Sequence, residues 1–178
     1  AAHLGIPMVT FDFEKEYREH VVEYMYREYA AGRTPNPDIV CNRTIKFDLF
    51  IKEAKKMGVA TIATGHYARV LTDAERIVHL LKGVDSNKDQ TYFLHQLSQE
   101  QLKNTLFPLG ELKKDEVRKI AAERGLLIAN KRSSRGICFV GKVSLPIFLK
   151  ERLATRTGVV VDTEGNILGN HEGIHNFT

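Results

Sequence analysis

Apolar and polar positions along the 178-residue chain alternate between short apolar runs and longer segments of helical spacing. Residues 7–13 carry Val, Thr and Phe and predict a strand, whereas residues 14–31 repeat aromatic and apolar positions every three or four residues. Residues 45–57 show the same helical pattern, and residues 59–64 form an apolar run typical of a buried parallel strand. Strand and helix alternate, as in an α/β domain.

The second half of the chain predicts a hairpin, further helices and another pair of strands. These elements are a hairpin of residues 67–71 and 77–84, helices over 91–97, from 98, over 114–124 and over 144–153, and strands at 159–162 and 166–168. Because the pattern changes near residue 142, we expect one domain over 1–141 and the start of a small mixed α+β domain over 142–178. The residues before Pro7 read as the end of a helix, so we expect an internal fragment of a longer protein.

The alternation over residues 1–141 predicts a partial doubly wound parallel sheet. In such sheets, ligands bind beyond the carboxyl ends of the strands. Gly65 and His66 directly follow the apolar run 59–64, and Cys41 lies in the connection before the preceding helix. We therefore expect these three residues at the ligand-binding edge of the sheet.

Composition narrows the class of protein only modestly. A net charge of +4 and a pI near 9.0 suit a polyanionic partner, but a mildly basic soluble enzyme has the same balance. No apolar run is long enough to span a bilayer, and no signal-peptide pattern begins the chain. We therefore expect no membrane association and a cytoplasmic location, where cysteines stay reduced unless they are catalytic.

The chain has two cysteines, Cys41 and Cys138, each with Arg or Lys nearby in the sequence. Thiolate chemistry needs an accessible sulfur close to positive charge. The alternative is that each thiol is a small buried hydrophobic group. The apolar neighbours of Cys138 favour that alternative more than the proline-rich segment before Cys41, which predicts a rigid loop over residues 34–41.

Asp38 lies three residues before Cys41, so one helical turn would place carboxylate and thiol on the same face. This spacing suits an acid/base group beside a nucleophile, while Asp38 could equally be a helix N-cap. The segment from Gly65 suits a close nucleotide contact or a plain turn, and residues 88–90 suit phosphate or RNA binding or a solvated helix start. The histidines and cysteines lack metal-ligand spacing, so we expect no metal site among them.

Five segments of the chain resemble, in order and spacing, the tRNA-specific 2-thiouridylases. They are residues 32–42 (GRTPNPDIVCN), 63–67 (ATGHY), 85–90 (DSNKDQ), 106–110 (LFPLG) and 136–141 (GICFVG), and the likeness continues to residue 173. The resemblance implies a nucleotide-binding domain of the ATP-pyrophosphatase type followed by the start of a central tRNA-binding domain.

The resemblance also implies a reaction. ATP, with Mg²⁺, would adenylate the 2-carbonyl of the wobble uridine in tRNA, and sulfur would then replace the oxygen. Cys138 would carry the sulfur as a persulfide received from a sulfur-carrier protein, and Cys41 would be the nucleophile that leaves a Cys41–Cys138 disulfide.

Roles follow position by position from the same resemblance. Asn36, Pro37 and Asp38 would contact the target base, Asp38 moving a proton, Gly65 would contact ATP, and His66, Lys88, Asp89 and Gln90 would contact tRNA. The family's Ser-Gly-Gly-x-Asp-Ser phosphate loop and its C-terminal barrel do not occur in the sequence. Ser133 and Arg135 also depart from the family pattern, and Arg135 adds positive charge beside Cys138.

Two other functions fit the same residues. A noncatalytic RNA- or protein-binding remnant would keep the fold without the phosphate loop, and a related ATP-pyrophosphatase would act on a small molecule. The paired cysteines and residues 88–90 favour the tRNA enzyme over the small-molecule enzyme.

Overall fold

A computed structural model of the chain describes residues 1–131, 145–154 and 156–173. Cys138, Ser133 and Arg135 lie outside the described residues, and with them the predictions made for the persulfide-carrying segment. Across the described ranges, helices and short strands alternate along the chain.

Two long helices dominate the first third of the chain. Helix α1 is continuous through Glu14–Tyr17, a wider π-type stretch Arg18–Val22 and Glu23–Ala30, which confirms the helix predicted over 14–31. Helix α2 is continuous through Pro37–Cys41, a π-type stretch Asn42–Leu49 and Phe50–Lys56.

Helix α2 begins eight residues earlier than the apolar pattern predicted, so the loop expected over 34–41 is wrong from Pro37 onward. Pro37 occupies the first helical position, where its missing N–H costs nothing and its fixed φ suits the helix. Periodicity could not detect this first turn because it precedes the repeated apolar positions. Cys41 is therefore a helical residue.

The strands form three two-stranded sheets in the described residues. β1 (Ile62–Ala63) pairs in parallel with β4 (Thr105–Leu106), β2 (Ala68–Thr72) pairs antiparallel with β3 (Val78–Lys82), and β5 (Gly158–Val161) pairs antiparallel with β6 (Ile167–His171). The predicted hairpin of residues 67–71 and 77–84, the two strands predicted at 159–162 and 166–168, and the parallel direction of the 59–64 strand are confirmed.

Shorter helical elements connect these strands. They are 3-10 turns at Ala2–Leu4 and Thr91–Leu94 and the helices α3 (Gln99–Lys103), α4 (Lys114–Glu123) and α5 (Leu145–Lys150). The helix expected over 91–97 is wrong, since only a 3-10 turn forms there before the capping box of Ser98 starts α3. Across the three described ranges, no helix combines the length and apolar character needed to cross a membrane.

The strand predicted over residues 7–13 is also wrong. These residues belong to no sheet, and Met8 is 76% exposed. A strand needs a neighbour to bond its backbone, and no described strand pairs with this segment. For the same reason only two residues of the predicted strand 59–64 join a ladder, and Val59 remains exposed rather than buried.

Buried side chains form three clusters. The first joins α2 to the sheets and includes Phe47, Ile51, Ile62, Ala68, Leu94 and Phe107. The second joins α1 to the start of α2 through Tyr17, Val21, Val40, Cys41 and Ile45, and the third joins α1 to α5 through Met25, Tyr26, Tyr29 and Leu149. Helix α2 thus has two buried faces, which fixes its orientation between α1 and the sheets.

Candidate active site

The first turn of α2 is held by Asn36. Its backbone is extended, and its side-chain Oδ1 accepts hydrogen bonds from the backbone N–H groups of Asp38 at 3.1 Å and Ile39 at 3.4 Å. These bonds satisfy two of the N–H groups that a helix start leaves without partners. Asn36 is therefore the N-cap, and the alternative that Asp38 fills this role is wrong. Asp38 lies in the first turn, where the helix dipole favours its negative charge.

Cys41 ends this turn and has 0% of its surface exposed. The thiol packs in the cluster formed by α1 and α2, with Tyr17, Val21 and Ile45 among its members. The expectation of an accessible sulfur is therefore wrong for this conformation. The segment before Cys41 predicted a loop, but Cys41 lies in a helix and α1 covers it. Asp38 and Cys41 do share one helix at a spacing of three, as the helical interpretation required.

A cleft of about 440 Å³ lies beside this cluster. Tyr17 and Ile45 belong both to the cleft wall and to the cluster that buries Cys41. Phe11, Phe13 and Phe148 give the cleft an aromatic character, and Arg18 and Glu14 lie among the residues that line it. Cys41 thus lies behind the wall of an aromatic cleft.

His66 follows β1, as predicted for the end of a parallel strand. Its Nδ1 is 2.9 Å from the Thr64 hydroxyl, and its ring centroid is 5.6 Å from that of Phe47 on α2. Burial, together with the nearby charge of Lys46, lowers the pKa of His66 from 6.5 to about 4. The imidazole is therefore neutral at physiological pH.

Gly65, next to His66, is exposed and has a φ outside the left-handed region. A Cβ added to it would meet only Leu109 Cδ1, at an ordinary 3.8 Å. Gly110 differs, because a Cβ there would collide with the backbone carbonyl oxygen of Ala68. The fold therefore requires glycine at 110 and does not require it at 65, where the missing side chain leaves room for an approaching ligand.

Residues 88–90 divide into one exposed side chain and two engaged in the fold. Asp89 accepts hydrogen bonds from the Gly83 N–H at 3.0 Å and from the Thr91 hydroxyl at 2.5 Å. Gln90 pairs with Tyr67, accepting from its N–H at 3.1 Å and donating its own N–H to the Tyr67 carbonyl at 3.0 Å. Lys88 is exposed to solvent and available to a polyanion.

Sequence reasoning missed one pair near Cys41. Asn42 is only 2% exposed, donates its side-chain N–H to the Phe93 carbonyl at 3.0 Å and accepts from Lys46 Nζ at 2.9 Å. The four-residue spacing of Asn42 and Lys46 on a predicted helix could have indicated their contact. The buried position of Asn42 depends on packing between α2 and the 91–94 turn, which periodicity does not reveal.

The described residues contain no cluster of side chains suited to a metal ion. Within them, no group of three or more His, Cys, Asp or Glu side chains could hold a metal ion. We therefore assign no residue to Mg²⁺.

The alternation of helices with a parallel strand pair, which Gly65 and His66 follow along the chain, defines an α/β chain. Residues 1–142 match the family model described as the tRNA methyl transferase HUP domain, and residues 147–178 match that of the tRNA methyl transferase PRC-barrel domain. The HUP domain implies a Rossmann-like α/β fold. The chain belongs to this family.

Its relatives carry a more specific name. The chain is 47% identical to the tRNA-specific 2-thiouridylase MnmA of Christiangramia forsetii, over 100% of this chain and 54% of that protein. It is 52% identical to the proteins of the same name from Lactococcus lactis subsp. lactis and Streptococcus agalactiae serotype III, over 100% of this chain and 47% and 48% of theirs. The resemblance to the 2-thiouridylases is confirmed, and the chain spans about half the length of these relatives.

Proposed function

We propose that the protein containing this chain converts the wobble uridine of tRNA to 2-thiouridine. The observation that carries the proposal is that α2 joins the predicted catalytic residues to the end of β1. Asp38 and Cys41 lie in its first turns, and Phe47 of the same helix packs on His66. Groups proposed to handle the base, the sulfur and the tRNA therefore lie on adjoining elements.

The proposed chemistry has two stages. The uridine 2-oxygen attacks the α-phosphate of ATP, and pyrophosphate leaves, so that a poor leaving group becomes part of an AMP ester. The Cys41 thiolate then attacks the inner sulfur of a Cys138 persulfide, which releases hydrosulfide and forms a Cys41–Cys138 disulfide. Hydrosulfide displaces AMP at the 2-carbon, and an external thiol reductant reopens the disulfide.

The assignment of sulfur transfer agrees with the names of the relatives. The two thiols suit it because Cys138 would donate the sulfur and Cys41 would resolve the persulfide. The description of the family model names methyl transfer instead. Sulfur would reach Cys138 from a carrier protein. The finer fold, a partial doubly wound sheet over 1–141 and a central domain beginning at 142, and a cytoplasmic location belong to the same proposal.

Burial of Cys41 places a condition on the mechanism. A thiol with no exposed surface cannot attack a persulfide, so Tyr17 and Ile45 must separate before Cys41 reacts. The target base must also leave its stack to reach Asn36, Pro37 and Asp38. Asp38 is suited to proton transfer at the base because it shares the first helical turn with Cys41.

We place ATP against Gly65, where an added Cβ would meet only Leu109 Cδ1, at an ordinary contact distance of 3.8 Å. Gly65→Ala should therefore fold normally and lose affinity for ATP. Gly169→Ala is the matched control, since a Cβ there meets no atom within 4 Å. Equal ATP affinity in the wild type and Gly65→Ala would remove Gly65 from the nucleotide site.

Transfer RNA fits a surface that includes Lys88 and His66. Lys88→Ala should weaken tRNA binding and reduce its salt dependence by about one counterion without changing stability. Asp89→Ala should instead lower stability, because the Gly83 and Thr91 groups lose their acceptor. Unchanged tRNA binding and salt dependence in Lys88→Ala would exclude Lys88 from the interface.

The decisive experiment measures 2-thiouridine in tRNA treated with ATP and a persulfide donor. Cys41→Ser and Cys138→Ser should each abolish the product while ATP binding survives, and Gly169→Ala should retain it. Full product formation in either cysteine variant would reject the mechanism.

The buried thiol favours one alternative, a noncatalytic RNA- or protein-binding module. That function predicts tRNA or protein binding without any 2-thiouridine from the wild type.

A further inference from the structure

Tyr92 is an exposed aromatic residue in the 3-10 turn Thr91–Leu94. It is 63% exposed, whereas Leu94, two residues later, is 1% exposed and packs in the core cluster that joins α2 to the sheets. Single exposed apolar side chains are common on protein surfaces and do not by themselves indicate a binding site. Tyr92 differs from them because both its ring and its backbone are held in place.

Two neighbouring rings hold the Tyr92 ring. Phe93 contacts it edge-on at a centroid distance of 5.5 Å, and His95 stacks with it at 5.9 Å and an angle of 28° between the ring planes. The His95 ring is fixed in turn, because its Nδ1 donates a hydrogen bond of 2.8 Å to the Tyr92 carbonyl oxygen, which can only accept. We call Tyr92 and His95 the stacking platform, and both of its residues are exposed to solvent although their geometry is fixed.

The backbone of the turn is bonded to α2 and to the preceding loop. The Phe93 carbonyl accepts a hydrogen bond of 3.0 Å from Nδ2 of Asn42, which directly follows Cys41 and is 2% exposed. Asp89 accepts a hydrogen bond of 2.5 Å from the Thr91 hydroxyl. The stacking platform is therefore fixed relative to the helix that carries Cys41, so a ligand that stacks on it does not have to order the turn first.

The surroundings of the stacking platform favour a nucleobase over an apolar protein segment. The exposed residues nearest to it along the chain are polar and include Asn87, Lys88 and Gln96, so no apolar patch extends from it along the chain. Lys88 presents its ammonium four residues before Tyr92. Proteins bind unpaired nucleic acid with this combination, in which aromatic rings stack on bases and cations contact phosphates.

We propose that Tyr92 and His95 bind an unpaired base of the tRNA by stacking, in the same loop of the tRNA as the target uridine. The hydrogen bond between Asn42 and Phe93 places the platform directly beside the α2 segment that carries Cys41. A target base that leaves its stack also deprives its neighbours of a stacking partner, which the platform replaces. The inference rests on the proposed function for the identity of the RNA, and it adds an uncharged contact with a base to the proposed phosphate contact of Lys88.

The test compares tRNA with a fully paired RNA duplex of the same length, using the full-length protein. Tyr92→Leu keeps an apolar side chain but removes the ring, so it should weaken tRNA binding about 5- to 150-fold and leave duplex binding unchanged, because paired bases are already stacked. Tyr92→Phe keeps the ring and should bind tRNA like the wild type. Ile147→Ala is the matched control, since Ile147 is 66% exposed and lies in α5, and it should bind both RNAs normally.

Salt dependence and fluorescence distinguish a stacked base from a phosphate contact. Tyr92→Leu should lower the tRNA affinity by the same factor at every salt concentration, whereas Lys88→Ala should reduce the salt dependence by about one counterion. The sequence contains no tryptophan, so Tyr92→Trp introduces one at the platform. Its emission, taken as the difference from the wild type, should be quenched by tRNA and not by the duplex. His95→Ala should weaken tRNA binding less than Tyr92→Leu does and should have no further effect in that background.

The outcomes separate this inference from the proposed function. If the wild type forms 2-thiouridine while Tyr92→Leu binds tRNA equally well, the inference is overturned and the function stands. If Tyr92→Leu weakens tRNA and duplex binding equally, or lowers the urea midpoint without changing tRNA affinity, Tyr92 contacts the RNA backbone or another part of the protein and the inference is overturned. If tRNA binding depends on Tyr92 and quenches Tyr92→Trp but the wild type forms no 2-thiouridine, the inference holds and the proposed function fails.

Discussion

The hydroxyl group of Tyr26 on α1 donates a hydrogen bond of 2.8 Å to the backbone carbonyl oxygen of Phe148 on α5. The two rings stack with centroids 5.4 Å apart. Arg152 lies over the Tyr26 ring at 4.3 Å and pairs with Glu23 of α1. These contacts join the segment that matches the HUP-domain model to the segment that matches the PRC-barrel model.

Leu149 should provide most of the stability of this junction. It has no exposed surface and packs with Met25, Tyr26 and Tyr29, so Leu149→Ala should cost about 2–5 kcal/mol in the free energy of unfolding. Arg152→Ala should destabilise the protein far less than Leu149→Ala, because the Glu23 pair is exposed to solvent. Urea unfolding measures both changes.

Ile147→Ala is the control for Leu149, since Ile147 is in the same helix but 66% exposed. It should change stability by no more than about 0.5 kcal/mol. If Ile147→Ala and Leu149→Ala destabilised the protein equally, the packing of α5 against α1 would be incorrect.

Asn36 should contribute to stability and to catalysis in separable ways. Asn36→Ala removes the acceptor for two N–H groups and should cost about 1 kcal/mol, with some loss of activity as the turn carrying Asp38 and Cys41 loosens. Asn36→Ser retains a capping oxygen, so it should restore stability. If Asn36 also contacts the target base, Asn36→Ser will remain slow in 2-thiouridine formation although its thermal unfolding matches the wild type.

The N-cap position of Asn36 illustrates which parts of the fold local sequence signals could predict. Residues 14–31 and the β2–β3 hairpin were predictable, because their apolar periods and the intervening turn are encoded locally. The start of α2 depended on the Asn-Pro pair, a capping signal that the apolar pattern does not contain.

Features that depend on packing between distant segments were not predictable. Residues 7–13 have strand composition, but a strand forms only where another pairs with it, and composition names no partner. Cys41 is covered by α1, and Asn42 is fixed by the 91–94 turn. The resemblance to a family identified the candidate residues, whereas their burial had to come from the structure.

His66 should make stability depend on pH. Its pKa is about 4 in the folded protein and 6.5 in the ordinary, exposed state, so the unfolded chain binds a proton first as the pH falls. The contribution of neutral His66 to the free energy of unfolding is complete above pH 6.5. It is lost progressively as the pH falls to about 4, and the total loss is roughly 3 kcal/mol. Urea midpoints measured between pH 4 and 7.5 should show this decline.

His66→Gln provides the reference curve, since glutamine keeps a polar side chain and does not titrate. The difference between the two curves should narrow as the pH falls through this window, because only the wild type loses the contribution of a neutral imidazole. Parallel curves would mean that His66 has an ordinary pKa and is not buried as described.

The burial of Cys41 predicts slow alkylation of its thiol. In a Cys138→Ser background, where Cys41 is the only cysteine of the chain, iodoacetamide should react at least about a hundredfold more slowly with the folded protein than in urea. Ile45→Ala should accelerate the reaction, because Ile45 is part of the cover, and Lys52→Ala on the exposed face of α2 should not. If catalysis requires the cover to open, ATP and tRNA together should raise the rate above that of the protein alone. Alkylation of the folded protein at the rate measured in urea would show that the thiol is already exposed and that no opening step precedes its chemistry.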